Sequence, residues 1–370
     1  MKKITIMAFL LAFVLAFGAC EEPQNNAPVL RNPEGTISYL FPSYEGFYYE
    51  APSVLTEENR LVVSYTTNAT EGAEDSVIAV RTAAKSGSAW DFSAEPSVAV
   101  APSADGWDKY NVGNGDIVAG SFTYRETDYA YLMAYEASPA AAEKRFSVGL
   151  AVSSDLKNWE KVGNAPFLSY DYETYGDTAG ICYPSLVNLN GKGNILLFYT
   201  YASSTVTETR FVEANFSDLD HPAVSGSISV AHEGLPLDGN EWAVVTNADF
   251  AYDAETDEIF IVKDGFPYAA QNAQKATKVE IAKIALESLY AQTARWTPVC
   301  SIVDEFVAGG YSRIYSAAFV SDACAWIAGE EVSIAFTSGV AQKTPKTKHG
   351  STARASIFSP SKLHCGRTDR

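Results

Sequence analysis

Tyr49-Glu50-Ala51-Pro52-Ser53-Val54 opens a unit of sequence that the chain uses five times. A polar turn at 56–60 follows this opening, and an alternating strand at 61–66 follows the turn. The same order of opening, turn and strand returns four times, least clearly in the last case, with openings at 114–118, 183–187, 247–251 and 315–320. A chain that repeats one such unit is expected to fold as a ring or array of similar sheets.

The spacing of the openings favours a ring of blades. Alignment gives intervals of 63, 69, 64 and 68 residues when it is made on Pro52, Gly115, Pro184, Ala248 and Ser316. These units exceed the ~40–50 residues of common propeller blades, but they fit four-stranded antiparallel blades with long connections. The openings also lack apolar-polar alternation, as expected for inner strands that are shielded on both faces. We therefore predict an all-β, five-bladed β-propeller, with a β-sandwich of recurring turns as the alternative.

Composition limits the possible partners. The chain has 370 residues, of which 47% are hydrophobic, so it can bury a large core. Its formal net charge of −18 argues against nucleic acid or an anionic membrane surface as a partner. The same charge disfavours a polyanionic substrate, unless a local basic pocket overrides it. The 21 tyrosines suit strands and, where exposed, the faces of sugars.

The N-terminus reads as a targeting segment. Two lysines precede the apolar run 4–17, and small residues lead into Cys20. This pattern resembles a bacterial lipoprotein signal, which implies cleavage after residues 1–19 and lipidation of Cys20. The alternative is an ordinary secretory signal with an incidental cysteine. We expect residues 20–27 to form a polar tether. The apolar run is too short for a helix that spans the membrane. We therefore expect export to the cell envelope, with only a lipid anchor in the outer membrane, on its periplasmic or surface side.

The remaining sequence divides into a propeller at 28–342 and a basic tail at 343–370. A short strand near 37–41 is expected to close the ring onto the last blade, and 353–358 in the tail is a second candidate strand for that blade. The cysteines have neither CxxC spacing nor histidines at ligand spacing, so no metal or cofactor site is predicted. A disulfide between Cys300 and Cys324 is possible, but the sequence does not decide whether these two cysteines pair.

Chemistry in a propeller is expected where the inner strands converge on one axial depression. The polar residues of the openings are Glu50, Asn114, Asp116, Asn247, Asp249 and Arg313. Cleavage of a glycosidic bond needs one protonated carboxyl as acid and one ionised carboxylate as base or nucleophile. Glu50 lies among aromatic neighbours that would raise its pKa, so it is the candidate acid, and Asp249 is the best second carboxylate.

Structural roles compete with these assignments. An acid at the end of an inner strand can cap a turn or pair with an arginine, and Asp116 could be only the turn residue after Gly115. For Arg313 two roles are equally compatible with the sequence: it could hold the substrate, or it could pair with one of the candidate carboxylates as a structural contact. Tryptophans at similar places in three repeats, Trp90, Trp159 and Trp296, are expected to pack on their blades.

Two segments carry a resemblance to a known family. The turn Ser154-Asp155-Leu156-Lys157-Asn158-Trp159 resembles the blade turn of five-bladed propeller glycosidases, and Glu50-Ala51-Pro52 resembles the general-acid segment of glycoside hydrolase family 43. The resemblance implies hydrolysis, usually with inversion, of arabinose- or xylose-containing plant glycans by an acid, a base and a third carboxylate. Asn114 departs from it, because an Asp is expected there.

The prediction is therefore an exported, lipid-anchored glycoside hydrolase acting on carbohydrate. Glu50 would be the acid, Asp249 or Asp116 the base, and Tyr49, Asn114, Asn247 and Arg313 contacts for the substrate. Asn114 motivates a second hypothesis, in which the propeller binds surface glycans without cleaving them. A purely structural or protein-binding propeller is the third.

Overall fold

The computed structural model is built almost entirely of antiparallel strands. It describes residues 30–31, 35–40, 46–71, 75–86, 89–140, 144–235, 247–265, 276, 278–291, 295–303, 313–328, 332–339 and 354–360. The predicted signal segment 1–19, Cys20 and the tether 20–27 lie outside these residues. Within them, no helix is long and apolar enough to cross a membrane.

The strands group into five blades around one axis, and the strands of blades five and one belong to a single nine-stranded sheet. Two short strands, β1 (Leu30–Arg31) and β2 (Gly35–Tyr39), precede the first blade. Blade one contains β3 (Glu50–Glu57), β4 (Arg60–Asn68), β5 (Ser76–Ser86), β6 (Ala89–Asp91) and β7 (Ser97–Val100). Blade two contains β8 (Asn111–Tyr124), β9 (Thr127–Ser138), β10 (Ser147–Ser153) and β11 (Glu160–Lys161).

Blade three follows a short helix, α1 (Tyr172–Tyr175). It contains β12 (Gly180–Asn188), β13 (Asn194–Ala202), β14 (Thr207–Asn215), β15 (Ala223–Val224) and β16 (Ile228–Ser229). Blade four contains β17 (Ala248–Asp253), β18 (Glu258–Gly265), β19 (Lys278–Ala285), the helix α2 (Leu286–Ala291) and β20 (Thr297–Val303). Blade five contains β21 (Arg313–Asp322), β22 (Ile334–Gly339) and β23 (Arg354–Pro360).

The N-terminus completes the last blade. β2 pairs antiparallel with β23, so a strand that precedes blade one in sequence forms the outer edge of blade five. On the inner side, β21 pairs parallel with β3, with Val320 opposite Val54. The ring of five blades predicted from the repeats is therefore confirmed. Blade five includes residues 354–360 from the basic C-terminal stretch.

The apolar core lies between neighbouring blades. The largest cluster joins blades two, three and four, and its fully buried rings include Phe198 and Phe250, which stack at 3.8 Å between centroids. Separate clusters join blades four and five, one and two, and five and one. Because each blade covers the faces of its neighbours, the middle strands are apolar on both sides and read as nearly continuous runs.

The predicted turn and packing roles are observed. Asp155 accepts hydrogen bonds from the backbone N–H groups of Lys157 and Asn158, which lowers its pKa to about 2. Trp159 packs against the core cluster of blades one and two, and Trp296 is 1% exposed. No disulfide joins Cys300 and Cys324, so the pairing considered for them is not formed.

Candidate functional site

Each inner strand carries the same backbone irregularity near its first residues. A non-glycine residue with φ between 47° and 52° stands in every repeat: Ala51, Asn114, Tyr183, Asn247 and Ser316. A register shift of the strand pairing accompanies it in blades one, two, three and five. The fifth repeat is thus displaced by one from the sequence alignment, and Ala317 rather than Ser316 corresponds to Pro52.

These five irregular segments meet in one axial depression. Its wall is formed by residues 51–53, 114–116, 183–184, 247–249 and 316–318, one segment from each blade. The repeat openings, spread over more than 260 residues of sequence, are therefore neighbours in space, as the repeat alignment predicted. Left-handed backbone is costly for residues other than glycine, so five such residues around one cavity need support from their surroundings.

Side chains of the preceding blade supply that support. In four repeats the N–H of the left-handed residue donates to a side chain on the second strand of the previous blade. The acceptors are Thr66 for Asn114 (2.9 Å), Glu136 for Tyr183 (2.7 Å), Asp264 for Ser316 (2.7 Å) and Thr337 for Ala51 (3.1 Å). The wall of the depression is thereby fixed by contacts between blades and not by one blade alone.

Asp116 joins three blades at the depression. Its Oδ1 accepts a hydrogen bond from the hydroxyl of Ser53 in blade one at 2.5 Å. Its Oδ2 accepts the N–H of Leu186 in blade three at 2.6 Å, and Oδ1 also accepts the N–H of Ile117. Asp116 is therefore both a cavity residue and a link between neighbouring strands.

Asp249 repeats this arrangement two blades further on. Its Oδ1 accepts the hydroxyl of Ser185 in blade three at 2.7 Å, and its Oδ2 accepts the N–H of Phe319 in blade five at 2.7 Å. The Ser185 hydroxyl in turn accepts the N–H of Phe250. We call Ser53, Asp116, Ser185 and Asp249 the inter-blade belt.

The two carboxyl groups of the belt have displaced pKa values. Burial, together with the nearby charge of Asp249, raises the pKa of Asp116 to about 8. Burial also raises the pKa of Asp249, to about 6. The hydrogen bonds that both groups accept act in the opposite direction, because they stabilise the ionised form. Burial therefore disfavours the ionised form of both carboxyl groups, and more strongly that of Asp116.

Glu50 adjoins the depression but does not form its wall, which begins at Ala51. Its Oε1 accepts the hydroxyl of the buried Tyr315 in blade five at 2.7 Å. Tyr49 was predicted to contact substrate, but its ring cannot do so. Tyr49 is 4% exposed and packs on Tyr65 at 5.6 Å in the core between blades five and one, so its face is not available to a sugar.

The amide residues do reach the depression. Asn114 and Asn247 both belong to its wall. The Nδ2 group of Asn247 donates to Asp264 Oδ2 at 2.8 Å, which directs its carbonyl oxygen away from that carboxylate. Arg313 begins β21, and its side chain lies outside the described part of the chain, so its role as a clamp stays a prediction.

Residues important to the depression were missed from sequence. Ser53 and Ser185 had no assigned role, although each follows an aligned proline. In the alignment their column reads Ser53, Asp116, Ser185, Asp249, an alternation of hydroxyl and carboxyl groups that predicts hydrogen bonds between adjacent blades. Tyr315 also had no assigned role, although it begins the last opening. Among the described residues, no three His, Cys, Asp or Glu side chains converge to hold a metal ion.

Comparison with known proteins gives matches in structure alone. No protein-family model matches the chain, and no curated protein sequence matches it significantly. The structure is similar to Zg3597, a family 117 glycoside hydrolase of the marine bacterium Zobellia galactanivorans, with a TM-score of 0.55 and 13% identity over 89% of this chain and 91% of that chain.

Two further similar structures were solved with oligosaccharides. The α-L-arabinofuranosidase PaAbf62A from Podospora anserina, in complex with cellotriose, gives a TM-score of 0.56 and 9% identity over 89% of this chain and 98% of that chain. A GH62 hydrolase in complex with xylotriose gives a TM-score of 0.55 and 10% identity over 90% of this chain and 96% of that chain. At these identities the similarity establishes the fold: the chain is a five-bladed β-propeller of the kind found in these glycoside hydrolases.

Proposed function

We propose that this protein is a glycoside hydrolase that cleaves neutral poly- or oligosaccharides containing arabinose or xylose in its axial depression. One observation carries the proposal: Asp116 and Asp249 occupy one cavity with unequal raised pKa values. Pairs of carboxyl groups whose environments separate their pKa values are typical of acid and base assignments. The arabinofuranosidase among the similar structures supports the choice of sugar.

In the proposed reaction, Asp116 is the general acid. Its carboxyl proton passes to the glycosidic oxygen as the bond from that oxygen to the anomeric carbon breaks. Asp249 is the base, whose carboxylate takes a proton from the water that attacks the anomeric carbon from the opposite face. This arrangement inverts the anomeric configuration, and a positioned pair contributes on the order of 10²–10⁴-fold in rate.

Glu50 takes a different part from the one expected of a general acid. Because the wall begins at Ala51 and the Glu50 carboxylate is held by Tyr315, we assign Glu50 as a third carboxylate beside the pair. It would act from beside the depression, without contact to the scissile bond.

Export and lipid anchoring also remain proposals. The N-terminal sequence supports cleavage before Cys20 and its lipidation. Growth with radiolabelled palmitate should label the wild-type chain and not Cys20→Ala, and unlabelled wild type in the membrane fraction would contradict the anchor.

The test of hydrolysis uses purified protein from residue 28 onward. 4-Nitrophenyl α-L-arabinofuranoside, 4-nitrophenyl β-D-xylopyranoside and arabinoxylan are the substrates, and released pentose is measured by chromatography. We expect turnover of at least one, with Asp116→Asn and Asp249→Asn each at least about 100-fold slower while folded by circular dichroism. Wild type without turnover on all three would contradict hydrolysis.

A second function is favoured by the left-handed positions of the wall. They hold Ala51, Asn114, Tyr183, Asn247 and Ser316, none of them a carboxylate. Both belt carboxylates also accept several hydrogen bonds from protein. These facts suit a propeller that binds glycan without cleaving it. Calorimetric binding of arabinoxylan by wild type, with no product formed, would support this function over hydrolysis.

A further inference from the structure

A small aromatic platform lies on the same side of the propeller as the depression. Residues 170–179 lead directly into β12, whose Tyr183 and Pro184 form part of the cavity wall. The depression lies at the start of every inner strand, so a segment that precedes β12 is on the cavity side. This segment contains the helix α1.

Two exposed tyrosine rings stand on this helix. Tyr172 is 37% exposed and Tyr175 is 48% exposed. Among the described residues, the other exposed aromatic side chains are Tyr110, which precedes β8 in blade two, and Tyr290, which belongs to α2 in blade four. Two exposed rings on one turn of a helix therefore form a distinct local feature of this surface.

The backbone beneath the rings is firmly held. Asp171 caps α1 by accepting the N–H groups of its first turn. The buried Tyr170 hydroxyl lies 2.9 Å from the carbonyl oxygen of Gly176 and 2.8 Å from the Thr178 hydroxyl. Ser204 N–H donates to the carbonyl oxygen of Tyr175 at 3.0 Å, which ties α1 to blade three. A fixed aromatic surface binds with less loss of conformational entropy than a mobile one.

Polar groups surround the rings in a pattern suited to neutral sugars. The Arg145 guanidinium stacks over one face of the Tyr172 ring, 4.1 Å from its centre, and donates to Asp177 at 2.7 Å. The Tyr175 ring meets Tyr201 edge to face at 6.2 Å. Sugars present apolar C–H faces and hydroxyl edges, which match ring faces bordered by donors and acceptors. The net charge of −18 disfavours an anionic glycan.

We propose that Tyr172 and Tyr175 form a second carbohydrate subsite, which binds the part of a neutral oligosaccharide chain that extends from the axial depression over blade three. The subsite rests on the proposed function for its ligand class. It makes the protein selective for chains long enough to occupy both the depression and the platform.

The test compares a long and a short ligand in the double variant Tyr172→Ala/Tyr175→Ala. Loss of one stacked ring is expected to cost roughly threefold to tenfold in binding. The dissociation constant for arabinoxylan, by isothermal calorimetry, should therefore rise about tenfold or more. The ratio of kcat/KM on arabinoxylan to that on 4-nitrophenyl α-L-arabinofuranoside should fall by a similar factor. Tyr290→Ala is the matched control, because it removes an exposed ring at the opposite end of the propeller.

The outcomes separate the subsite from the proposed hydrolysis. Weaker arabinoxylan binding in the double variant but not in Tyr290→Ala supports the subsite, whether or not wild type turns over a substrate. Unchanged arabinoxylan binding in the double variant overturns the subsite and leaves hydrolysis standing. Wild type that does not bind arabinoxylan also overturns the subsite. Both tyrosines are exposed, so circular dichroism should show the double variant to be folded.

Discussion

At the scale of single residues, the unequal protonation of two carboxyl groups determines the expected pH dependence. Asp249 acts when ionised, so activity should be lost as pH falls below its pKa of about 6. Asp116 acts when protonated, so activity should be lost as pH rises above its pKa of about 8. The profile of kcat/KM against pH, on 4-nitrophenyl α-L-arabinofuranoside, should be bell-shaped with a maximum between these values.

The individual limbs can be assigned by substitution. Residual activity of Asp116→Asn should lack the alkaline limb and keep the acidic one. A wild-type maximum below pH 5 would contradict the protonated state proposed for Asp116. Because the two groups interact, the measured midpoints belong to the pair and not to one residue.

Tyr315 is expected to act through Glu50. Replacement by Phe removes the hydroxyl that donates to Glu50 Oε1, and the carboxylate loses a fixed position and a stabilising bond. We expect Tyr315→Phe to lower kcat about threefold to tenfold, with about 1 kcal/mol lost from the free energy of unfolding. Tyr199→Phe is the control, since it removes a hydroxyl bonded to Ser227 in blade three. Equal activity losses in both variants would argue against a specific role for Tyr315.

Four of the 14 residues that line the cavity were predicted as site residues from sequence. Asn114, Asp116, Asn247 and Asp249 were predicted from their place in the repeat, and all belong to the wall. The predicted contact between the Tyr49 ring and the substrate was wrong, because this ring is buried. The irregularity at the left-handed residue adds a residue to the strand, so alternation before it does not carry over to the residues after it. No pattern in a single opening reveals that displacement.

At the scale of elements, the inter-blade belt is expected to hold the inner strands together. Ser185→Ala removes the donor to Asp249 Oδ1 and leaves the buried N–H of Phe250 without its acceptor. The free energy of unfolding should fall by about 1–3 kcal/mol in urea denaturation. Ser121→Ala, an exposed serine on β8, is the matched control and should change it by less than about 0.5 kcal/mol. Equal stabilities of the two variants would contradict the structural role of the belt.

Elements with a clear period were predicted well, and irregular ones were not. The alternating run 61–66 lies within β4. Trp326, which follows the last opening, donates its indole N–H to the carbonyl oxygen of Asn188 in blade three, and β22 starts at Ile334. Such a long-range contact leaves no periodic signal in the sequence.

At the scale of the whole molecule, closure depends on a strand from the start of the chain. β2 is the outer partner of β23, so its removal would expose an edge of blade five. A chain that starts at residue 41, which lacks β2 and also β1, the partner of β20, should unfold at least about 5 °C lower than one that starts at residue 28, in differential scanning calorimetry. A chain that starts at residue 20 is the control and should match the residue-28 form. Identical transitions in all three would contradict closure by β2.

Carbon-13 NMR titration of the aspartate carboxyl groups in wild type, Asp116→Asn and Asp249→Asn tests the shared cavity at its two carboxyl groups. We expect one carboxyl that titrates near pH 8, is absent from Asp116→Asn and moves to lower pH in Asp249→Asn, because the repelling charge is gone. The proposal that a protonated Asp116 and an ionised Asp249 share one cavity would be contradicted by either of two results. One is that all aspartates titrate below pH 5, and the other is that the midpoint of Asp116 is unchanged in Asp249→Asn.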